Sequence, residues 1–161
     1  MNLSGIGYDV HRFASGRPLI LGGVEIPHSH GLDGHSDADV LAHAIADAAL
    51  GAVGERDIGY HFPNSDESIR GISSMEILRK VSQIIKRGGG RIINVDSTLI
   101  AEAPKISPHV LEMRKNIADA LEIPLARVGV KATTNERMGF LGRQEGIAAM
   151  AVASVEQSDT D

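Results

Sequence analysis

Asp9 and His11 stand two residues apart in the run GYDVHRF. On a β-strand that spacing points a carboxylate and an imidazole to the same side, and zinc accepts both as ligands. Farther along, HSDADVLAHAIADAALG sets Asp39, His43 and Asp47 at intervals of four, so on a helix the three share one face. A polar stripe on a helix otherwise rich in Ala and Leu is either a solvated face or a working one. In the working reading His43 joins Asp9 and His11 as a third metal ligand, with Asp47 or Asp39 orienting it from behind. Two His and one Asp would leave a fourth tetrahedral position open, as a catalytic zinc requires.

Three further segments carry suggestive residue types. Lys131-Ala132-Thr133-Thr134-Asn135-Glu136 offers two hydroxyls and a carboxylate at the end of a β-branched run. Such oxygens suit a phosphate and a hard divalent cation such as magnesium. In Ala101-Glu102-Ala103-Pro104-Lys105, Pro104 stiffens a backbone whose polar groups could meet a base edge. Gly139 to Gly146 (GFLGRQEG) is a Gly-rich loop with one Arg, without the Gly-Lys-Ser/Thr of a phosphate-binding loop. Taken singly, each reads as an ordinary polar turn, and no Ser or other nucleophile is paired with a base.

The elements that must position these groups follow from pattern. A first strand over residues 3–10 leads into Asp9 and His11, and PLILGGVEI is a hairpin turning at Gly22-Gly23. Residues 28–34 form a polar loop. The spacing of Leu41, Ile45, Ala48 and Ala49 predicts a helix capped near Ser36 and ended by Gly51 and Gly54. A second helix runs from about Ser73 to Arg87 on the stripe Ile77, Leu78, Val81, Ile84 and Ile85, and Gly88-Gly89-Gly90 stops it. Strands are expected over Arg91–Glu102, Val128–Thr133 and Ile147–Val155, with a third helix opening at Ser107-Pro108 and ending near Leu121. This order makes an α+β single domain: a mixed β-sheet with helices packed on one face, over residues 1–156, and a loose tail at 157–161.

A chain of 161 residues suits one core. With three Phe, two Tyr and no Trp, that core is aliphatic. The net charge of −5, the lack of a basic block and the scarcity of aromatics argue against a nucleic-acid partner. Absence of Cys excludes disulfides and thiolate metal sites. No stretch approaches the roughly 18 apolar residues of a membrane span. MNLSGIGYDVHRF has neither the basic start nor the apolar run of a signal peptide, so a cytoplasmic protein is expected.

The runs GYDVHRF, LGGVEIP, HSDADVLAHAIADAALG, DIGYHFPNSD, NVDSTLIAEAPK and VKATTNERMGFLGRQEGIA occur in that order over nearly the whole chain. Together they resemble the 2-C-methyl-D-erythritol 2,4-cyclodiphosphate synthase family of non-mevalonate isoprenoid biosynthesis. The resemblance implies cyclisation of 4-diphosphocytidyl-2-C-methyl-D-erythritol 2-phosphate with release of CMP, by metal-assisted in-line attack of the 2-phosphate on the β-phosphorus. It implies zinc, or another divalent transition metal, on Asp9, His11 and His43, and magnesium or manganese on Glu136 with the substrate diphosphate. His35 and Ser36 would hold the methylerythritol phosphate. Asp57, Ile58 and Gly59, with Phe62, Ser65 and Asp66 in the loop that follows, would close over the erythritol unit. Ala101, Pro104, Lys105 and Ile106 would form the cytidine pocket, and Ala132, Thr133 and Thr134 the diphosphate path. The family assembles as a trimer with sites between subunits, and Phe140, Arg143 and Glu145 would line a central cavity that in some members holds an isoprenoid diphosphate. Gln144 and Ala38 stand where the family, or some of its members, has Gly.

Two other readings of the same residues differ in kind. A zinc hydrolase would use the Asp9, His11 and His43 set to activate water and give a ring-opened product. A non-enzymatic module binding an isoprenoid diphosphate would use Gly139–Gly146 but leaves Asp9, His11 and His43 without a purpose.

Overall fold

The first strand, β1 (Asn2–Ala14), turns Gly5, Gly7, Asp9 and His11 to one side and Ile6, Tyr8 and Val10 to the other. The computed structural model describes residues 1–158. After β1 come the hairpin strands β2 (Leu19–Leu21) and β3 (Val24–Ile26), the short β4 (Gly31–Leu32) and helix α1 (Val40–Ala52). A one-turn helix α2 (Ile58–His61) precedes α3 (Ser74–Arg87), and then follow β5 (Gly90–Ile100), α4 (Val110–Leu121), β6 (Val128–Thr133), the one-turn α5 (Gly139–Gly142) and β7 (Gly146–Gln157).

Five strands form one sheet in the order β4-β1-β7-β5-β6, and the hairpin β2-β3 stands apart. Only β5 and β6 run parallel; β7 is antiparallel to β1 and β5, and β4 to β1. The sheet is therefore mixed, as the pattern of elements predicts. Strand β7 is the spine of the sheet, and its run of Ala148, Ala149, Ala151 and Ala153 is buried. Small side chains there let α1 lie close to the sheet.

Contact is closest against β1, where a β-carbon on Gly5 would fall 2.1 Å from the Ala48 carbonyl oxygen. Only glycine admits a helix backbone at that range. Helix α1 is buried on nearly every side, from Val40 and Leu41 through Ala49 and Leu50, so a solvated polar face is excluded. Next to it α3 buries Ile77, Leu78, Val81 and Ile85, with Ser73 accepting a hydrogen bond from Met75 N at its start. Its limits match the sequence expectation.

Two helix starts differ. Helix α1 begins at Val40, with Asp39 rather than Ser36 as its cap. Asp39 wins because its carboxylate accepts from Ala42 N at 3.1 Å and also from Gly22 N and Gly23 N at 3.0 and 2.8 Å, which docks the hairpin turn on the helix end. Ser36 instead accepts from Ala38 N and closes a turn. Likewise Ser107-Pro108 opens a 3-10 turn over Ser107–His109, and α4 proper starts at Val110. At the chain's far end β7 reaches Gln157, one residue past the expected boundary at 156, and Gln157 N donates to Met1 O at 3.0 Å. Residues 159–161 of the expected tail lie outside the described residues.

The face of the sheet opposite the helices carries Ile6, Tyr8, Val10, Met150 and Val152, all exposed in the single chain. Among the described residues no helix is long and apolar enough to cross a membrane.

Candidate functional site

Strand β1 and helix α1 together bring three ligand atoms to one point. Asp9 Oδ2 lies 2.9 Å from His11 Nε2 and 3.0 Å from His43 Nδ1, and the two ring nitrogens are 3.3 Å apart. Ligands held about 2.0–2.1 Å from a tetrahedral zinc lie about 3.3–3.4 Å from each other. The triangle thus needs only a few tenths of an ångström of expansion, about the width of a small side-chain adjustment.

Proton positions support the same fit. His11 Nδ1 lies 2.5 Å from the carbonyl oxygen of Asp33, which can only accept, so in the neutral ring Nε2 is a lone pair. His43 Nε2 faces the hydroxyls of Ser74 at 3.0 Å and Ser36 at 3.2 Å, leaving Nδ1 toward Asp9. Three lone pairs converging with no donor between them fit a cation. Burial opposes charge on Asp9, yet the hydrogen bonds and charges of His11 and His43 outweigh it and hold its carboxyl well below the usual carboxylate range. Burial likewise works to lower His11, but its pairing with Asp9 prevails and raises it.

Around this point lies a cleft of about 330 Å³. Of the sequence-predicted residues, Asp9, His11, His35, Ser36, His43, Asp57, Ile58, Gly59 and Phe62 line it. Ser65 and Asp66 do not; Asp66 instead caps the 3-10 turn over Glu67–Ile69 by accepting from Ser68 N, and Asn64 lines the cleft in their place. Asp47, one turn beyond His43, accepts from Ile58 N at 2.8 Å and so fixes the start of α2 at the cleft's edge. Burial, with help from nearby Asp57 and Asp9, pushes the Asp47 carboxyl up against that hydrogen bond. The polar stripe of α1 is thereby explained as three internal anchors, but neither Asp39 nor Asp47 orients His43; Ser74 and Ser36 hold its outer nitrogen.

Loop geometry depends on a residue that the motif reading passes over. Arg17 donates to Gly34 O at 2.5 Å and to Ser36 O at 2.6 Å, clamping the loop that presents His35 and Ser36. His35 Nε2 is buried without a hydrogen-bond partner among the described residues, which is costly unless something polar enters the cleft.

The remaining predicted residues gather elsewhere. Strands β5 and β6 run parallel and end together, so Ala101 N donates to Thr133 O at 2.9 Å and the two segments after them are neighbours. Thr134 Oγ1 donates to Glu136 Oε1 at 3.2 Å. Glu102, a second residue without an assigned role in the sequence reading, accepts from Asn135 N and Arg137 N at 3.0 Å each and shapes that loop. None of Ala101, Pro104, Lys105, Ile106, Ala132, Thr133, Thr134 or Glu136 lines the metal cleft of the same chain. Phe140 lines a separate hollow of about 650 Å³ with Val10, Arg12 and Phe13, while Arg143 pairs with Glu145 at 2.7 Å.

Fold and site together define an α+β protein with an Asp-His-His group that could hold a divalent metal. The chain belongs to the YgbB family, whose model matches residues 3–156. It is 62% identical over 154 residues to the 2-C-methyl-D-erythritol 2,4-cyclodiphosphate synthase of Akkermansia muciniphila, covering 95% of this chain and 91% of that protein. Among solved structures, it superposes with a TM-score of 0.93 on the bifunctional IspDF of Campylobacter jejuni, at 41% identity, covering 99% of this chain and 43% of that one. It superposes with a TM-score of 0.85 on a CDP complex of IspF from Plasmodium falciparum, at 34% identity, covering 98% of this chain and 97% of that one.

Proposed function

We propose that this protein converts 4-diphosphocytidyl-2-C-methyl-D-erythritol 2-phosphate into 2-C-methyl-D-erythritol 2,4-cyclodiphosphate and CMP. The observation that carries the reading is the convergence of Asp9 Oδ2, His11 Nε2 and His43 Nδ1 at one wall of a polar cleft, in a chain so similar to a synthase of that name.

The substrate's 2-phosphate is itself the nucleophile, so the site needs no strong base, and neither Ser36 nor Ser74 beside His43 is called on as a nucleophile. Its tasks are to bend a flexible substrate until 2-phosphate and β-phosphorus meet, and to offset repulsion between the two anions. Orientation of that kind supplies up to about 7–11 kcal/mol in a well-aligned intramolecular reaction. His35, with its unpartnered Nε2, and the Ser36 hydroxyl would bind phosphate oxygens beside the triad. Asp57, Ile58, Gly59 and Phe62 would enclose the carbon chain and exclude water, and Ser65 and Asp66 would complete that wall once the segment closes. Asp9, His11 and His43 would hold zinc or another divalent transition metal, which would supply Lewis-acid polarisation of a phosphoryl oxygen, and Glu136 would hold magnesium or manganese to offset diphosphate charge. Thr133 and Thr134 would donate hydrogen bonds along the path from Ala132, where charge grows on the departing CMP. The segment from Ala101 to Ile106, including Pro104 and Lys105, would hold the cytidine.

We further infer a homotrimer. The bare apolar face of Ile6, Tyr8, Val10, Met150 and Val152 wants a partner surface. A metal cleft separate from the cytidine and Glu136 segments is completed if a neighbouring copy supplies them. Phe140 and Arg143 would then face a central cavity suited to an isoprenoid diphosphate. A cytoplasmic location accords with the substrate.

Phosphorus NMR of the protein with this substrate and magnesium, before and after chelation, tests the reading. Stoichiometric CMP and a cyclic diphosphate, lost on chelation, are expected. CMP with a linear product would make the protein a hydrolase, and no turnover by zinc-replete protein would overturn the reading.

A further inference from the structure

Ser74, the first residue of α3, is wholly buried and lies 31 residues from His43 in sequence, yet its Oγ is 3.0 Å from His43 Nε2. That oxygen donates its proton to Asp37 Oδ1. Asp37 is itself fully engaged: Oδ2 accepts from Ser74 N at 3.0 Å, and Oδ1 also accepts from Asp39 N at 3.2 Å. A carboxylate only accepts, and a hydroxyl has one proton to give. The Ser74 proton is therefore committed to Asp37, and only lone pairs face the imidazole. His43 must donate from Nε2, which in a neutral ring leaves Nδ1 bare, and Nδ1 is the atom 3.0 Å from Asp9 Oδ2.

Ser36 cannot set this choice. Its Oγ, 3.2 Å from the same ring nitrogen, accepts from Ala38 N, but its own proton is bound to nothing fixed. It could meet either tautomer. We propose that Ser74, with its proton held by Asp37, is the positioning residue that locks His43 in the Nε2–H form and keeps Nδ1 ready for the metal. Ser36 is thereby spared, and its hydroxyl proton is available to a substrate oxygen in the cleft.

The same pair ties the metal centre to the segment ahead of α3. Asp37 N donates to Ile72 O at 3.2 Å and Gly71 N to His35 O at 3.0 Å, so the loop carrying His35 and Ser36 is laced to the end of that segment. A residue at the start of α3 thus sets the orientation of a ligand on α1.

This inference rests on the metal-centre reading, and the experiment separates the two. Zinc alone is titrated against a chelator into the wild-type protein and the Asp9→Asn, Ser74→Ala, Ser74→Thr and Asp37→Asn variants, and histidine ring nitrogens are recorded by NMR in the zinc-loaded wild type. Ser74→Ala should weaken zinc by about 10–100-fold, the range for groups that hold a ligand from behind. Ser74→Thr, which keeps the hydroxyl, should recover most of that loss, Asp37→Asn should fall between, and wild-type His43 should carry its proton on Nε2. Wild-type zinc affinity in folded Ser74→Ala, or zinc on Nε2 of His43 in the wild type, would overturn the proposal while leaving the metal centre intact. Should Ser74→Ala not fold, the wild-type ring nitrogens and the Asp37→Asn titration decide. No zinc above the Asp9→Asn level in the wild type would sink the metal reading and this proposal with it.

Discussion

Gly7 lies so close to Ala44 that a β-carbon on it would fall 1.9 Å from the Ala44 carbonyl oxygen and 2.8 Å from Ala48 N. Both are backbone atoms of α1 and cannot swing aside. His43 precedes Ala44, and Asp9 follows Gly7 by two residues on the same face of β1, so this approach sets the distance across the metal triad. Gly7→Ala should part strand and helix, cost about 1–3 kcal/mol as overpacking does or more, and loosen zinc at the same time. Gly51→Ala is the matched control: its nearest neighbour is 4.0 Å away, and inside a helix alanine should gain about 0.5–1 kcal/mol. Urea midpoints and zinc content of the two variants check this. A Gly7→Ala protein with wild-type midpoint and zinc would mean that the helix does not set the site.

How much of this was legible in the sequence depends on the range of the interaction. Strand β6 and helix α3 show plainly because alternation and the 3.6-residue period are local, and Ser73 and Gly88 punctuate the latter. Asp9, His11 and His43 could be grouped because strand and helix periodicity each put a ligand on a definite face. The cap of α1 is not legible because Ser36 and Asp39 are both good caps locally, and the N–H groups of Gly22 and Gly23 that favour Asp39 come from a hairpin 16–17 residues away. Ser74 and Arg17 carry no local signal at all; each acts through one side chain reaching a distant loop. Strand order is equally hidden, since nothing in β7 itself says that it lies between β1 and β5.

The two proposed metal positions should respond separately. His43→Ala removes one of three ligands and should bring zinc well below one per subunit and abolish turnover. Glu136 sits outside the Asp9, His11 and His43 cleft, hydrogen-bonded to Thr134 at 3.2 Å. Glu136→Gln should therefore keep its zinc and raise the magnesium or manganese concentration needed for half-maximal turnover. Metal analysis together with a magnesium titration of activity reads both. An unchanged magnesium requirement in Glu136→Gln would remove Glu136 from that role.

Gln144 and Ala38 both adopt left-handed backbone, with φ of 60° and 57°. That conformation costs a side-chain-bearing residue roughly 1–2 kcal/mol, while glycine gives back about 0.5–1 kcal/mol in chain entropy. Gln144 is exposed, so Gln144→Gly should stabilise by up to about 1 kcal/mol. Ala38 is fully buried, and Ala38→Gly would also forfeit a methyl worth about 0.8 kcal/mol, leaving it near neutral. Denaturant curves of the two variants at one protein concentration compare them. Equal effects would show that the buried Ala38 methyl does not separate these positions.

Asp39 gives the protein a pH dependence of definite sign. Burial and the nearby Asp37 push its carboxyl up from 3.8 to about 6, against the hydrogen bonds from Gly23, Ala42 and Gly22. With the folded value above the unfolded one, the folded state holds the extra proton. The group's stabilising contribution is whole below about pH 4 and is lost as pH rises through 6. That rise corresponds to at most about 3 kcal/mol. Asp9 acts in the opposite direction, since its depressed carboxyl loses stabilisation as pH falls below the ordinary carboxylate range. Subtraction of a variant isolates Asp39. Asp39→Asn cannot titrate and presents an N–H₂ to a backbone donor, so it should be less stable than wild type at pH 4.5, by a margin that narrows as pH rises through 6. Urea midpoints of both proteins, at one concentration and several pH values, measure that margin. A margin independent of pH would show that Asp39 stays ionised across the range, with its three backbone donors outweighing its burial.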